Sequence, residues 1–119
     1  MKLQESGENY LETILILQNQ NGYVRSIDIA NKLNFSKPSV SRAMKVLKEN
    51  NYIQITADGH IHLTEEGKKK ADSVYDRHLT LTKFLIKLGV NDKQAEIDAC
   101  RIEHIISEET HQCIKKSME

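Results

Sequence analysis

The order of secondary-structure signals between residues 26 and 64 constrains the fold more than any other feature of this chain. A short helical pattern runs from Ile27 to Leu33, and we expect Ser26 to be its N-cap. After the tight connector NFS, a second helical pattern covers SKPSVSRAMKVLKE. Two short alternating segments, YIQIT and HIHLT, then flank the turn signal Asp58-Gly59. This order of patterns therefore predicts a helix, a turn, a helix and a β-hairpin in succession.

This order is that of a winged helix-turn-helix, whose second helix enters the DNA major groove by its N-terminal end. We expect Ser36 to cap that helix and a stripe of Val40, Met44 and Leu47 to be buried. Hydroxyl and basic side chains on the opposite face suit contacts with bases and phosphates. The alternative is an amphipathic helix pair whose charges are simply solvated. The predicted DNA-binding residues are Ser36, Lys37, Pro38, Ser39, Arg42 and Lys45.

The charge distribution also favours a polyanion as the partner of the middle segment. Basic and acidic side chains number 17 each, but residues 1–22 carry a net charge of −2, residues 23–71 of +4 and residues 72–119 of −2. An excess of +4 would equally suit an ordinary protein surface. No apolar run approaches the about 20 residues of a membrane-spanning helix, and MKLQESGENY contains no signal segment. We therefore expect a cytoplasmic protein that does not interact with membranes.

Three more helices are predicted after the hairpin. They cover Thr64 to Leu88, a segment from Asp92, and Ser107 to about Lys116. These helices carry two apolar stripes. We expect the first to face the core and the second to lie in a homodimer interface. The first consists of Val74, Leu81, Leu85 and Leu88, and the second of Ala95, Ala99, Ile102 and Ile106.

A group of potential metal ligands lies near the end of the penultimate helix. Cys100, Glu103 and His104 are spaced i, i+3 and i+4, so a helix would carry all three on one face. Thiolate, carboxylate and imidazole together suit a divalent transition metal. Asn9, Glu12 on the first predicted helix (8–20) and His78 on the long helix are further candidate donors. A buried thiol beside a solvated Glu-His pair is the alternative interpretation.

The segments DACRIEHIIS, SIDIANKLNFSKPSVSRAMKVLKENNYI and VYDRHLTLTKFL resemble the metal-dependent repressors of the diphtheria toxin repressor and manganese transport regulator family. The resemblance runs from about Glu8 to Ile114. It implies a mainly α chain, with a winged helix-turn-helix DNA-binding domain at 1–71 and a helical metal-binding and dimerisation domain at 72–119. Because the chain ends at Glu119, we expect no SH3-like third domain.

The resemblance also implies a ligand set. Cys100 stands where the iron branch has Cys and the manganese branch has Glu, and His78 falls on the ligand histidine of the long helix. Glu12 matches a ligand of the manganese branch, whereas Asn9 replaces that branch's Asp with a weaker, neutral donor. The expected ligands are therefore Glu12, His78, Cys100, Glu103 and His104, with the weaker donor Asn9 as a sixth candidate.

The function that the resemblance implies is repression of transcription near metal-uptake genes. Members of the family are homodimers, and a metal bound between their two lobes makes them competent to bind double-stranded operator DNA. We expect Mn²⁺ or Fe²⁺ as the metal, with Zn²⁺ and Co²⁺ also compatible, and neither enzymatic activity nor a small organic substrate. The alternatives are a winged-helix regulator without metal sensing and a small zinc metalloenzyme with an open coordination position.

Overall fold

The computed structural model describes residues 5–119, so the first four residues of the predicted domain 1–71 lie outside the described part. The chain is mainly α with one small antiparallel sheet, which confirms the predicted fold class. It divides into two compact units between Asp72 and Ser73. The elements are α1 (Glu5–Asn21), α2 (Ser26–Leu33), α3 (Lys37–Glu49), β1 (Ile53–Ile55), β2 (Ile61–Leu63), α4 (Glu65–Lys87), α5 (Asp92–Ile102) and α6 (Glu108–Ser117).

The core of the first unit is formed by apolar side chains from three helices and the hairpin. Burying such side chains is the main favourable contribution to folding, at about 25 cal/mol per Å² of apolar surface. The predicted stripe of α3 is buried as expected, which directs the other face of this helix to solvent. The largest fully buried side chains of this unit are Leu11, Ile14, Val24, Ile29, Val40, Met44, Ile53 and Ile61.

Polar residues fix the ends of α2 and α3. Ser36 caps α3 as predicted, because its Oγ accepts a hydrogen bond from the Ser39 backbone N–H at 3.3 Å. The predicted Ser26 cap of α2 is wrong, since the helix begins one residue earlier and Arg25 is its N-cap. The Arg25 backbone N–H donates to Asp28 Oδ2 at 2.9 Å, so a carboxylate in the first turn binds the N-cap amide. Asn34 ends α2 in the left-handed conformation, with φ of 58°.

The hairpin and the start of α4 pack closely together. Ile53 pairs with Leu63, and Gly59 adopts a φ of 84° in the predicted turn. Thr64 caps α4 by accepting from the Gly67 N–H at 3.0 Å, and its hydroxyl donates to the Tyr52 carbonyl at 3.0 Å. A Cβ atom at Gly67 would lie 1.9 Å from that carbonyl oxygen. The first turn of α4 therefore has no room for a side chain at residue 67.

The second unit contains the rest of α4 together with α5 and α6. Val74 and Leu81 of α4 are buried as predicted, but Leu88 is 65% exposed, so its assignment to the core was wrong. The helix ends at Lys87, and Gly89 turns the chain with a φ of 106°. Its N–H and that of the next residue donate to the last turn of α4, which is a Schellman-type helix end. No helix among residues 5–119 is long and apolar enough to cross a membrane.

Candidate metal centre and DNA-binding surface

The solvent-facing side of α3 presents the predicted DNA-binding residues. Lys37, Arg42 and Lys45 are exposed, together with Ser36 and Pro38, whereas Ser39 is half-buried. The Ser36 hydroxyl donates to Ser39 Oγ at 2.8 Å, and Arg42 Nη2 lies 3.4 Å from the same oxygen. The first turns of α3 therefore offer a guanidinium held near two hydroxyl groups, a combination that can contact phosphates and base edges.

A cavity of about 260 Å³ lies where the N-terminal parts of α2 and α3 approach each other. It is lined by Ser26, Ile27, Lys37 and Ser41. Sequence reasoning used Ser26 only as a cap and did not select Ser41, although Ser41 lies two residues after Ser39 and is exposed. A basic side chain and two hydroxyls around one concavity are suited to an anionic group.

The tip of the hairpin is negatively charged. The Thr56 hydroxyl hydrogen-bonds to Asp58, and the His60 backbone N–H donates to the same carboxylate at 3.3 Å. These contacts, with the Thr56 hydroxyl as the largest cause, lower the pKa of Asp58 below its ordinary value. The ring of His60 stacks on Tyr23 with 5.4 Å between the ring centroids. The wing therefore has an ordered tip with a charge that opposes phosphate contact.

Three of the predicted metal ligands come together in the second unit. The carboxylate of Glu103 is 0% exposed. His78 Nδ1 lies 2.8 Å from Glu103 Oε2, and His104 Nε2 lies 3.3 Å from Glu103 Oε1. Burying a carboxylate is costly unless charged or hydrogen-bonding groups surround it. The two imidazoles and the carboxylate form one compact set of donor atoms, in which only the His78 side chain, at 17%, keeps appreciable exposure.

The end of α5 differs from the prediction. The helix stops at Ile102, so Glu103 and His104 lie just beyond its end, although Glu103 keeps helical backbone angles. Glu103 caps it, donating its N–H to the Ala99 carbonyl at 2.9 Å, while His104 lies in the following turn. The physical reason lies outside the local sequence, because carbonyls of this turn accept hydrogen bonds from a side chain of α4.

That side chain is Arg77, which sequence reasoning did not select. Its Nη1 donates to the carbonyls of Glu103 and Ile106, and its Nη2 pairs with Glu108 Oε2 at 2.9 Å. The Gln112 amide donates to Glu108 Oε1 at 2.8 Å. Gln112 and then Arg77 hold the pKa of Glu108 at about 2, well below its usual range. The sequence signal that could have identified Arg77 is its position directly before His78, a candidate ligand.

A third histidine of this unit, His111, belongs to a different cluster. His111 Nε2 lies 3.3 Å from Asp76 Oδ2, and Lys115 Nζ lies 3.0 Å from the same oxygen. The other ring nitrogen of His111 is 3.5 Å from Glu108 Oε1. These contacts join α4 to α6, and none of the four residues was predicted to bind metal.

The other predicted ligands are placed as follows. Cys100 is half-buried on α5, one turn before His104. Glu12 and Asn9 lie on α1 in the first unit, where Glu12 is buried and Asn9 is half-buried. The backbone carbonyl of Asn9 accepts a hydrogen bond from Thr13 at 2.8 Å. Metal binding by these three residues stays a prediction.

The predicted dimer stripe of α5 does not form an exposed surface. Ala95 and Ala99 are 0% exposed, and Ile102 and Ile106 are half-buried, so the expectation that this stripe lies at the surface was wrong. Other apolar side chains of this unit are exposed instead, namely Leu79, Ile86, Leu88, Ile97 and Ile105.

Comparison with known proteins gives a consistent result for both units. Residues 2–61 match the iron dependent repressor N-terminal DNA binding domain, and residues 64–119 match the iron dependent repressor metal binding and dimerisation domain. An uncharacterized HTH-type transcriptional regulator of Methanocaldococcus jannaschii is 33% identical over 119 residues, 98% of this chain and 95% of the relative. The transcriptional regulator MntR of Salmonella typhimurium is 36% identical over 103 residues, 87% of this chain and 66% of its own length.

Solved structures show the same relationship. The structure of the manganese regulator SloR superimposes with a TM-score of 0.84 at 25% identity. The match covers 99% of this chain and 54% of SloR, so the chain spans about half the length of that protein. The resemblance to metal-dependent repressors is thereby confirmed, and such proteins are transcription regulators and not enzymes. With both of its units matched, the chain belongs to the iron dependent repressor family of metal-dependent, DNA-binding transcriptional regulators.

Proposed function

We propose that this chain forms a cytoplasmic homodimer that represses transcription by binding operator DNA when a divalent transition metal is bound in its second unit. The observation that carries the proposal is the buried carboxylate of Glu103 between the imidazoles of His78 and His104. Such a donor set is costly to assemble without a ligand. In a family defined by metal-dependent repression it has an evident use.

The residues present fit a divalent cation. Glu103 Oε1 is buried and accepts no hydrogen bond among the described residues, and the His104 ring nitrogen lies 3.3 Å from it. One carboxylate and two neutral imidazoles suit Mn²⁺, Fe²⁺, Co²⁺ and Zn²⁺, and a thiolate from Cys100 would favour the softer of these. The bound cation would supply the positive charge that compensates the buried carboxylate. The family model is named for iron and SloR for manganese, which supports Mn²⁺ or Fe²⁺.

The DNA-binding part of the proposal rests on α3. Its exposed face carries Lys37, Arg42 and Lys45, and the nearby cavity adds the hydroxyls of Ser26 and Ser41. In a winged helix-turn-helix this is the surface that enters the major groove, while basic side chains neutralise phosphates. Double-stranded operator DNA is therefore the proposed partner.

Self-association is supported by exposed apolar side chains. Ile105 is 74% exposed, and Leu88 and Ile97 add further apolar surface in the same unit. Large exposed apolar side chains suit burial in an interface between subunits. A dimer would present two α3 helices to half-sites about one helical turn apart. Sedimentation at micromolar concentration, compared with the chain mass of 13.7 kDa, tests this proposal.

A second candidate function is a winged-helix regulator that does not respond to metal. It is favoured by one observation, the neutral Asn9 at a position where the manganese branch has Asp. Loss of an anionic donor would weaken the affinity for hard cations such as Mn²⁺.

One titration separates the two candidates. DNA fragments that bind the protein are selected from a random pool in the presence of Mn²⁺, and their affinity is then measured with Mn²⁺ and with a chelator. We expect tight binding only with the metal. By thermodynamic reciprocity, the selected DNA should raise Mn²⁺ affinity by the same factor in a calorimetric titration. Equal DNA affinity with and without metal would support the second candidate and contradict the first.

Substitutions on α3 should distinguish base contacts from phosphate contacts. Arg42→Ala is expected to weaken binding to the selected DNA by about 1–3 kcal/mol and to relax its sequence preference. Lys45→Ala should weaken binding to all sequences and reduce the salt dependence by about one phosphate contact. Lys83→Ala, an exposed position on α4, serves as the control and should bind normally. Wild-type affinity and salt dependence in both α3 variants would show that α3 is not the recognition helix.

A further inference from the structure

Two consecutive residues of α4 hold the same residue of the turn that follows α5. His78 Nδ1 lies 2.8 Å from the Glu103 carboxylate, and Arg77 Nη1 donates to the Glu103 backbone carbonyl at 3.4 Å. Successive residues on a helix point about 100° apart, so the two side chains approach Glu103 from different directions. Glu103 is therefore held at its main chain as well as at its carboxylate.

The remaining contacts of Arg77 fix the rest of the turn. Its Nη1 donates to the Ile106 carbonyl at 3.1 Å, and its Nη2 pairs with Glu108 at the start of α6. Backbone carbonyls in a turn lack the regular partners of a helix, and a planar guanidinium can bond several of them at once. The Arg77 side chain is only 16% exposed, so these bonds are largely protected from water. The turn from Glu103 to Ile106 is thus tied to α4.

Glu108 keeps the guanidinium in this orientation. Its other carboxylate oxygen accepts from Gln112, so both oxygens are engaged. With its pKa at about 2, the Glu108 carboxyl is ionised at neutral pH. Its bond to Arg77 is consequently a charge-assisted one, which is stronger and more directional than a neutral hydrogen bond.

We propose that Arg77 is a positioning residue of the metal centre, which holds the Glu103–Ile106 turn so that Glu103 and His104 meet His78 at ligand spacing. This inference rests on the proposed metal site of the second unit. Arg77 acts through the main chain of the turn and is not itself a ligand. Groups that hydrogen-bond to metal ligands typically contribute about 10–100-fold to metal affinity.

The test is a comparison of Mn²⁺ and Co²⁺ binding by wild type and Arg77→Gln. We expect both affinities to fall by about 10–100-fold. The visible absorption bands of bound Co²⁺ should also shift, because they report ligand geometry. Lys115→Gln is the matched control, since it removes a 3.0 Å ion pair between α6 and α4 without touching the turn. It should leave both the affinity and the Co²⁺ spectrum unchanged.

A conservative variant keeps the test decisive if Arg77→Gln does not fold. Arg77→Lys retains the charge, but a single ammonium cannot bond two carbonyls and a carboxylate in one plane. We expect an intermediate loss of metal affinity together with a shifted Co²⁺ spectrum. Wild-type affinity and an unchanged spectrum in Arg77→Lys would overturn the proposed role of the guanidinium.

The metal-free protein provides a separate measurement. Amide hydrogen exchange at Ile105 and Ile106 should be faster in Arg77→Gln than in wild type, because the turn loses its anchor. Unchanged exchange in this turn would contradict the inference while leaving the metal site itself untouched. A wild-type protein that binds neither Mn²⁺ nor Co²⁺ would overturn the proposed function and this inference together.

Discussion

His104→Ala is expected to abolish metal-dependent DNA binding while the protein remains folded. The His104 side chain is 3% exposed, and its Nε2 lies 3.3 Å from the buried carboxylate of Glu103. Removing it deletes one of the neutral donors that meet in the second unit. Metal affinity should fall by more than the roughly 10–100-fold that loss of a supporting hydrogen bond costs. Calorimetry with Mn²⁺ and DNA binding with the selected fragments measure the two effects.

His111→Ala is the matched control for this prediction. His111 is an equally buried imidazole of the same unit, also 3% exposed, but it contacts Asp76 and not the predicted ligands. Both variants lose a buried ring, so we expect them to lose comparable stability. Only His104→Ala should also lose metal binding. Full metal-dependent DNA binding by His104→Ala would refute the assignment of this site.

Gly67→Ala is expected to destabilise the protein by about 1–3 kcal/mol, the usual range for an overpacked site. In an ordinary helix interior the same change stabilises by about 0.5–1 kcal/mol, so the expected sign is reversed here. The reason is that the new Cβ would lie 1.9 Å from the Tyr52 carbonyl oxygen, which is backbone and cannot rotate away. Chemical denaturation of the two proteins measures the difference.

An exposed position on the same helix gives the comparison for Gly67→Ala. Lys69→Ala lies two residues further along α4 and should change stability by less than about 0.5 kcal/mol. If Gly67→Ala proved as stable as wild type, the close approach of α4 to residue 52 would be wrong.

The winged helix could be predicted because its signals are local. Ser36 caps α3 through a backbone amide only three residues away. The first turn of the helix tolerates Pro38, because a backbone N–H at that position would have no partner within the helix. The Asp58-Gly59 pair specifies a tight turn in the same way. Each of these preferences depends on neighbouring residues, so the sequence pattern is sufficient.

The geometry of the second unit depends on distant residues and could not be predicted in the same way. The spacing of Cys100, Glu103 and His104 suggested one continuous helix, but the helix ends at Ile102 and hydrogen bonds from Arg77 hold the turn that follows. Arg77 is far in sequence from the residues whose carbonyls it binds, so a local sequence pattern does not reveal this contact. Periodicity likewise identified the stripe containing Ala95, but it does not tell an inward-facing stripe from an outward-facing one.

The burial of α4 has a consequence for how sequences of this family can vary in length. Val74, His78 and Leu81 lie at i, i+4 and i+7, so the candidate ligand shares the register of two core residues. One inserted or deleted residue between Val74 and His78 would rotate the imidazole by about 100° relative to Val74. Substitutions can accumulate in this segment, but gaps should be absent from it. Changes in chain length are instead to be sought in connectors such as residues 88–91, where an extra residue leaves every helix in register.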